Sequence, residues 1–281
     1  MSHNLSFSIV TPSFNQGRFI GEALLSVKNQ NFSGVEQLVI DGGSRDGTIT
    51  ALRHYSDEEG WGHLHWISEP DRGQSDALNK GFAKAKGDIV GWLNSDDRYR
   101  PRCFERVAEV FERHPEVDVV YGDYTCIDEA GSVLQIRREI AFNPFILLHH
   151  RVLYIPTTAT FFRRRVFEEG NRLDERLHYA LDFEFFMRLA LGGYRFRHVS
   201  ALLADFRMHE ASKTCSVPNR QLEEKQRVTQ QYSRLLRKMR PPALRQAALV
   251  LLRSLAAILR YSEKLMRGYY FDQLRSATTK L

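Results

Sequence analysis

The sequence predicts an α/β fold: a mostly parallel sheet flanked by helices, with a C-terminal helical extension. Three observations lead there. Short apolar runs alternate with segments of helical period from Phe7 to Tyr121, the pattern of a parallel sheet covered on both faces. Each run stops at turn residues such as Pro12, Gly42 or Asn94. Acidic residues gather at those stops: Asp41, Glu69, Asp71, Asp96 and Asp97. In such sheets ligands bind beyond the carboxyl ends of the strands, so the acids converge on the expected binding edge.

Phe7–Thr11 is β-branched and aromatic and reads as a buried first strand. Phe19, Ile20, Ala23, Leu24 and Val27 fall near helical spacing, which predicts a crossover helix over 18–29. Val35–Ile40 is a second strand, closed by Asp41-Gly42-Gly43-Ser44. Asp46 then caps a helix over about 48–55. A third strand follows at 65–68 and a helix at 75–86, closed by Gly87. Ile89–Leu93 is a fourth strand, ending in Asn94-Ser95-Asp96-Asp97. Pro101 starts a helix to about Arg113, and Val117–Tyr121 is a fifth strand. Beyond it the pattern is less regular, with a strand at 158–163 and a helix at 182–191 ended by Gly192-Gly193. From about Leu222 the chain reads as helical, broken at Pro241-Pro242.

With 281 residues, 43% of them apolar, the chain has enough material for one large domain and a short appendage. The formal charge of +6 is concentrated between Arg220 and Arg275, which suits an anionic partner or a solvated helix face. Its basic residues lie on terminal helices with few paired aromatic platforms, so nucleic acid is not an expected partner. The three cysteines, Cys103, Cys126 and Cys215, have no metal-ligand spacing and fit a reducing compartment. No signal peptide is read in the first residues, so a cytoplasmic location is expected. No unbroken apolar run reaches about 18 residues, so no membrane-spanning helix is expected.

The acidic turn at 94–97 offers two carboxylates and an amide just after an apolar strand. Magnesium and manganese take oxygen ligands, commonly one or two carboxylates plus substrate phosphates. An Asp-rich turn capping the next helix is the plainer use of the same residues. Asp41 could accept hydrogen bonds from a nucleoside, or simply close a glycine-rich turn. Arg72 and the amides opening the helix after Asp71 could face phosphate. Neither a G-x-G-x-x-G fingerprint after the first strand nor a P-loop is present.

In this order the motifs resemble the family 2 glycosyltransferases, which have the Rossmann-like GT-A fold. The matching stretches are Ser8-Ile-Val-Thr-Pro-Ser-Phe-Asn15, Val39-Ile-Asp-Gly-Gly-Ser-Arg-Asp-Gly-Thr48, Glu69-Pro-Asp-Arg-Gly-Gln-Ser-Asp-Ala-Leu-Asn-Lys-Gly81 and Gly91-Trp-Leu-Asn-Ser-Asp-Asp97. Leu181-Asp-Phe-Glu-Phe-Phe-Met-Arg-Leu189 and Phe206-Arg-Met-His209 follow. The resemblance implies a GT-A domain over 1–218 and leaves a basic amphipathic extension at 219–281. It implies a nucleoside-diphosphate sugar donor and a divalent cation, manganese or magnesium. It places Thr11, Pro12, Asn15, Asp41, Arg72, Gln74, Asp76, Asn79, Asn94 and Asp96 around the nucleotide sugar. Asp96, Asp97 and His209 would meet the cation, and Asp182 would be the general base of an inverting transfer. The family often has Asp at the position of Asn94 and an acid at that of Leu181, which leaves Asp182 alone at its site. No Gln-x-x-Arg-Trp element follows, which implies single addition rather than polymerisation.

The implied acceptor is a glycan or a lipid-linked hydroxyl in cell-surface polysaccharide or glycolipid assembly. Residues 243–265 carry a broad apolar face interrupted by Arg245, Arg253, Arg260 and Lys264. Such a helix can lie peripherally on the inner face of a membrane. It can equally pack its apolar face on the catalytic domain, or on a second copy in a homo-oligomer. Two other functions fit the same residues: a nucleotidyltransferase, which would want a basic glycine-rich loop where Pro12–Gly17 stands, and a non-catalytic nucleotide-sugar-binding protein.

Overall fold

The computed structural model describes residues 5–150, 152–210, 218–233 and 242–269. The first half alternates as the sequence predicts: β1 (Phe7–Ser13), α1 (Ile20–Lys28), β2 (Val35–Asp41), α2 (Thr48–Asp57), β3 (Leu64–Ser68), α3 (Gln74–Lys84) and β4 (Ile89–Trp92). Then come β5 (Arg98–Tyr99), α4 (Cys103–Arg113), β6 (Val119–Ile127), β7 (Val133–Arg137) and α5 (Pro144–His150). The remainder is β8 (Thr160–Arg163), α6 (Arg165–Glu168), α7 (Leu181–Leu191), β9 (Phe196–Arg207), α8 (Pro218–Tyr232) and α9 (Pro242–Met266).

Among the described residues nine strands form one sheet in the order β3-β2-β1-β4-β8-β6-β9-β5, with β7 on β6. β3, β2, β1 and β4 are parallel neighbours, and β6 and β9 are parallel to each other. β8 runs antiparallel between β4 and β6, and β5 antiparallel to β9. The result is the curled mixed sheet of the GT-A fold, flanked by helices. β1 is buried along its whole length because it has parallel strands on both sides and helices on both faces. α3 comes so close to β1 that a Cβ on Gly81 would stand 2.2 Å from Val10 Cγ1. Any larger residue there would push the helix, and the turn that opens it, off the sheet.

Register sets the working edge. Ser13, Asp41 and Ser68 align across the ends of β1, β2 and β3. Gly42 N donates to Ser13 O and Glu69 N to Asp41 O, so the three following loops leave from one level.

Both C-terminal helices lie against the body. α8, placed by sequence in the extension, packs on α7 and α5 and buries Glu224, Val228 and Thr229. α9 docks on α5 through buried Ala256, half-buried Leu249 and Leu252 and the charged Arg260 and Lys264, and leaves a second apolar face outward. By length and composition α9 is also long and apolar enough to cross a membrane. A search for an unbroken run misses this, because Arg245, Arg253 and Arg260 interrupt the stretch. Pro241 and Cys215 lie outside the described residues.

Candidate active site

The turn after β4 carries the acids, and β9 brings the histidine to it. His209 Nε2 lies 2.9 Å from Asp96 Oδ2, joining residues 113 positions apart. β9 delivers it because Arg98 and Tyr99 of β5 pair with Asp205 and Ala204, stitching the acidic turn to the end of β9. Phe19, from the start of α1, packs against the His209 ring at 5.1 Å between centroids. A carboxylate oxygen facing an imidazole nitrogen is a suitable start of a cation site. Among the described residues no cluster of three such ligands gathers. Two protein ligands, completed by diphosphate oxygens, is the usual arrangement for magnesium and its relatives.

The two acids have separate surroundings. Asp97 is buried: its Oδ1 accepts from Arg207 N (2.9 Å) and its Oδ2 from Asn94 Nδ2 (3.0 Å). Burial, then the neighbouring Asp96 charge, push its carboxyl well above the usual range, against those two hydrogen bonds. Asp96 is the acid turned toward His209. Asn94, in the place where relatives often have Asp, accepts from Trp92 Nε1 (2.9 Å) and Gln74 Nε2 (3.0 Å).

Arg207 organises this turn, and the sequence reading does not single it out. It is fully buried. Its Nε donates to Asp96 O (2.9 Å), its Nη1 to Asp128 O (3.2 Å) and Glu129 O (2.9 Å), and its Nη2 to Glu22 Oε2 (2.6 Å). Its guanidinium also lies 4.9 Å from the centre of the Phe19 ring. One side chain thus fastens the acidic turn to α1 and to the loop after β6. The only sequence signal is its place two residues before His209.

Thr11, Pro12, Asn15 and Asp41 all reach the same sheet edge. Thr11 and Pro12 are buried in β1, and Thr11 Oγ1 accepts from Gln37 Nε2 (3.1 Å). Asn15 is exposed, in the left-handed region at φ 53°, and its Oδ1 accepts from Arg45 N (2.9 Å). Asp41 is fully buried, and its oxygens accept from Ser44 Oγ, Ser44 N, Gly43 N and Ser68 Oγ. It therefore shapes the turn from within.

The α3 residues divide in the same way. Arg72 is exposed and pairs with Glu175 (2.7 Å) and Asp76 (3.1 Å). Asp76 is buried; burial opposes its ionisation, but bonds from Arg72 and Lys80 prevail and lower its pKa. Asn79 is buried and exchanges two hydrogen bonds with the backbone of Leu173, at 3.0 and 2.9 Å. Asn79 thus holds the 173–175 segment against α3, and Asp76 steadies the Arg72 that reaches Glu175.

Asp182 lies in the first turn of α7, where its Oδ1 accepts from Phe183 N (2.7 Å). Leu181 lines a small cavity with Arg72, Gly73 and Gln74, and Gln74 in turn bonds Asn94. The start of α7 therefore borders the acidic turn through one intervening residue. That start is held by a residue the sequence reading passes over. Glu224 of α8 is buried and accepts from the amides of Tyr179 (2.8 Å), Ala180 (2.9 Å) and His178 (3.2 Å). Lys225 is half-buried beside Asp182; burial lowers its pKa, and the Asp182 charge works against that fall.

The fold and motifs have clear relatives. A crystal structure of S. aureus TarS 1–349 with UDP-GlcNAc superposes with a TM-score of 0.62 at 21% identity, covering 75% of this chain and 61% of that one. A mannosyltransferase from Pyrobaculum calidifontis, solved with GDP-Man and Mn2+, gives 0.59 at 19% identity, covering 90% and 73%. An uncharacterized glycosyltransferase of Mycobacterium tuberculosis is 31% identical, over 66% of this chain and 68% of its own length. Another, from Nostoc sp., is 27% identical over 60% of this chain, which spans only 54% of that relative. The sequence profile of glycosyl transferase family 2 matches residues 8–170, more than half of the chain. With the ordered motifs on this curled sheet, that match makes the chain a member of glycosyl transferase family 2.

Proposed function

We propose that the protein is an inverting, cation-dependent glycosyltransferase that moves a sugar from a nucleoside-diphosphate donor to a hydroxyl of a glycan or lipid-linked acceptor. The observation that carries this reading is the facing pair of Asp96 and His209 at the carboxyl end of β4. In this reading Asp96 and His209 would hold manganese or magnesium. Such a cation supplies positive charge beside the leaving diphosphate. Asp97 is a positioning residue, since its oxygens are engaged by Asn94 and Arg207. Asp41 and Asn15 shape the nucleoside end, and Arg72 and Gln74 border the diphosphate and sugar.

Asp182 takes the proton of the acceptor hydroxyl. The hydroxyl oxygen forms its bond to the anomeric carbon as the bond to the diphosphate oxygen breaks. The electron pair leaves with the nucleoside diphosphate. A single displacement inverts the anomeric centre, through an oxocarbenium-like transition state. Helix α7 offers Asp182 from its first turn, where a carboxylate is favoured by the helix dipole. The acceptor is assigned to cell-surface polysaccharide or glycolipid assembly on the cytoplasmic side.

The test is turnover of UDP- and GDP-sugars with manganese, scored by release of nucleoside diphosphate. Asp182→Asn should lose transfer while keeping donor binding by calorimetry. Near-normal turnover in that variant would remove Asp182 from the mechanism. Release of pyrophosphate instead would turn the reading to nucleotidyl transfer.

A further inference from the structure

We infer that α9 is an interfacial helix that lays its outward apolar face on the surface of an anionic lipid bilayer. A helix docked on a soluble domain ordinarily turns its apolar stripe inward. α9 does so only in part: Ala256 is buried and Leu249 and Leu252 half-buried, while its most exposed apolar side chains face away from the body. Its charged edge is held by the body: Arg260 Nη2 and Lys264 Nζ reach Glu139 Oε2 at 2.9 and 3.2 Å, and Glu139 is buried. Glu263 Oε1 accepts from Ala141 N (3.0 Å). Tyr261 meets the His150 ring edge-on at 5.8 Å. On the far side Leu251, Leu255, Ile258, Leu259 and Leu265 recur at helical spacing and stand exposed, Leu251 and Ile258 by 61% and 62%. A contiguous apolar strip of this kind marks a contact surface.

Charge decides the occupant. Pro242–Tyr269 holds five basic residues and one acidic one. That acid, Glu263, is taken by Ala141 N and by Arg267 at 2.7 Å. Nothing on the helix is left to attract a cationic protein face. A second copy packed across the strip would bring no free acid to meet Arg245 and Arg253. A bilayer surface rich in anionic headgroups accepts both features: the apolar side chains enter the acyl boundary, while the exposed Arg253 reaches to phosphates. The helix lies flat rather than spanning, because crossing would require Arg260 and Lys264 to leave the buried Glu139 carboxylate unpaired. The inference does not depend on the chemistry proposed for the sheet edge.

The experiment is flotation of the full chain with vesicles of phosphatidylcholine alone or with phosphatidylglycerol. The expected result is at least tenfold more protein floating with the anionic vesicles. The double variant Leu251→Asp/Ile258→Asp should lose it; both side chains are exposed, so its thermal unfolding should match the parent. Arg253→Glu should reduce it several-fold. Equal flotation of parent and double variant would overturn the inference. So would a concentration-dependent dimer, abolished by the double variant, with no vesicle binding. Retention through an alkaline carbonate wash would show a spanning helix and equally overturn it. Donor turnover measured on the same preparations reports separately on the transferase reading.

Discussion

Glu224→Ala tests whether α8 holds the helix that carries Asp182. The Glu224 carboxylate accepts from three successive amides, His178, Tyr179 and Ala180, at the entrance to α7. A hydrogen bond to a charged acceptor is worth about 1.5–3 kcal/mol, and a carboxylate at a helix N-terminus adds about 0.3–1 kcal/mol. The full sum does not apply, because His178 is exposed and Tyr179 half-buried, so water can replace two of the bonds. Ala180 is buried, and its amide would be left bare. The expected loss is therefore about 3 kcal/mol, lowering Tm by roughly 6–12 °C for a protein of this size. Glu224→Gln keeps an acceptor oxygen and should lose about half as much. Urea unfolding reads the stability, and donor titration of turnover reads the function. If α7 carries the base, kcat falls more than tenfold while the donor KM stays within about twofold. Two results refute the reasoning. A stability change within about 0.5 kcal/mol means that the amides find other partners. A donor KM that rises as far as kcat falls means that the damage spreads beyond α7.

Arg207→Met should destabilise the protein by about 3–5 kcal/mol, because it strips three carbonyls and Glu22 of a buried cation; a denaturation midpoint within about 1 kcal/mol of the parent would contradict this. His209→Ala should raise the manganese concentration for half-maximal turnover about tenfold with unfolding unchanged, and an unaltered requirement would take His209 out of the cation site. His150 is held down to about 4 by burial and then by Arg260 and Arg253. Its folded value lies below the unfolded one, so the unfolded chain binds more protons between the two. This contribution is complete above about pH 6.5 and is lost as pH falls toward 4. It should cost about 2 kcal/mol between pH 7 and pH 5; urea unfolding of His150→Gln should show a flatter dependence, and an identical slope would exclude His150 as its source.

The parts legible in the sequence are those whose burial is complete. β1, β2 and β4 carry apolar runs because each has a parallel neighbour and is covered by helices, and their ends fix the sheet edge. β7 and β9 escape the same reading for a physical reason. β7 is exposed throughout, and β9 mixes buried and exposed positions without strict alternation over 12 residues. Neither carries the period that marks a strand. At the site, the order of motifs points to Asp96 and His209, because their chemistry is displayed by the side chains themselves. Arg207 and Glu224 are hidden because a charged residue in sequence reads as surface. Glu224 sits among Arg220, Glu223, Lys225 and Arg227, a stretch that looks like a solvated helix face. Only the fold reveals that one member of the stretch is turned inward to meet bare amides.

That concealment changes where the functional unit ends. A boundary at residue 218 assigns α8 to an appendage, because the family motifs stop before it. Yet α8 contributes Glu224 to the first turn of α7 and sets Lys225 beside Asp182. Removing it would leave the amides that open α7 without an acceptor and would free the helix carrying the proposed base. α9 is bound differently. It lies along α5 with Ala256 buried, Arg260 over the Tyr154 ring, and Arg260 and Lys264 on buried Glu139, with Glu263 and Tyr261 alongside. We therefore propose a division between the two helices: α8 works with the sheet and its active edge, whereas α9 turns an apolar face outward. A chain ending after α8 should keep donor turnover, and one ending before α8 should lose it; equal loss from both truncations would place α9 inside the catalytic unit.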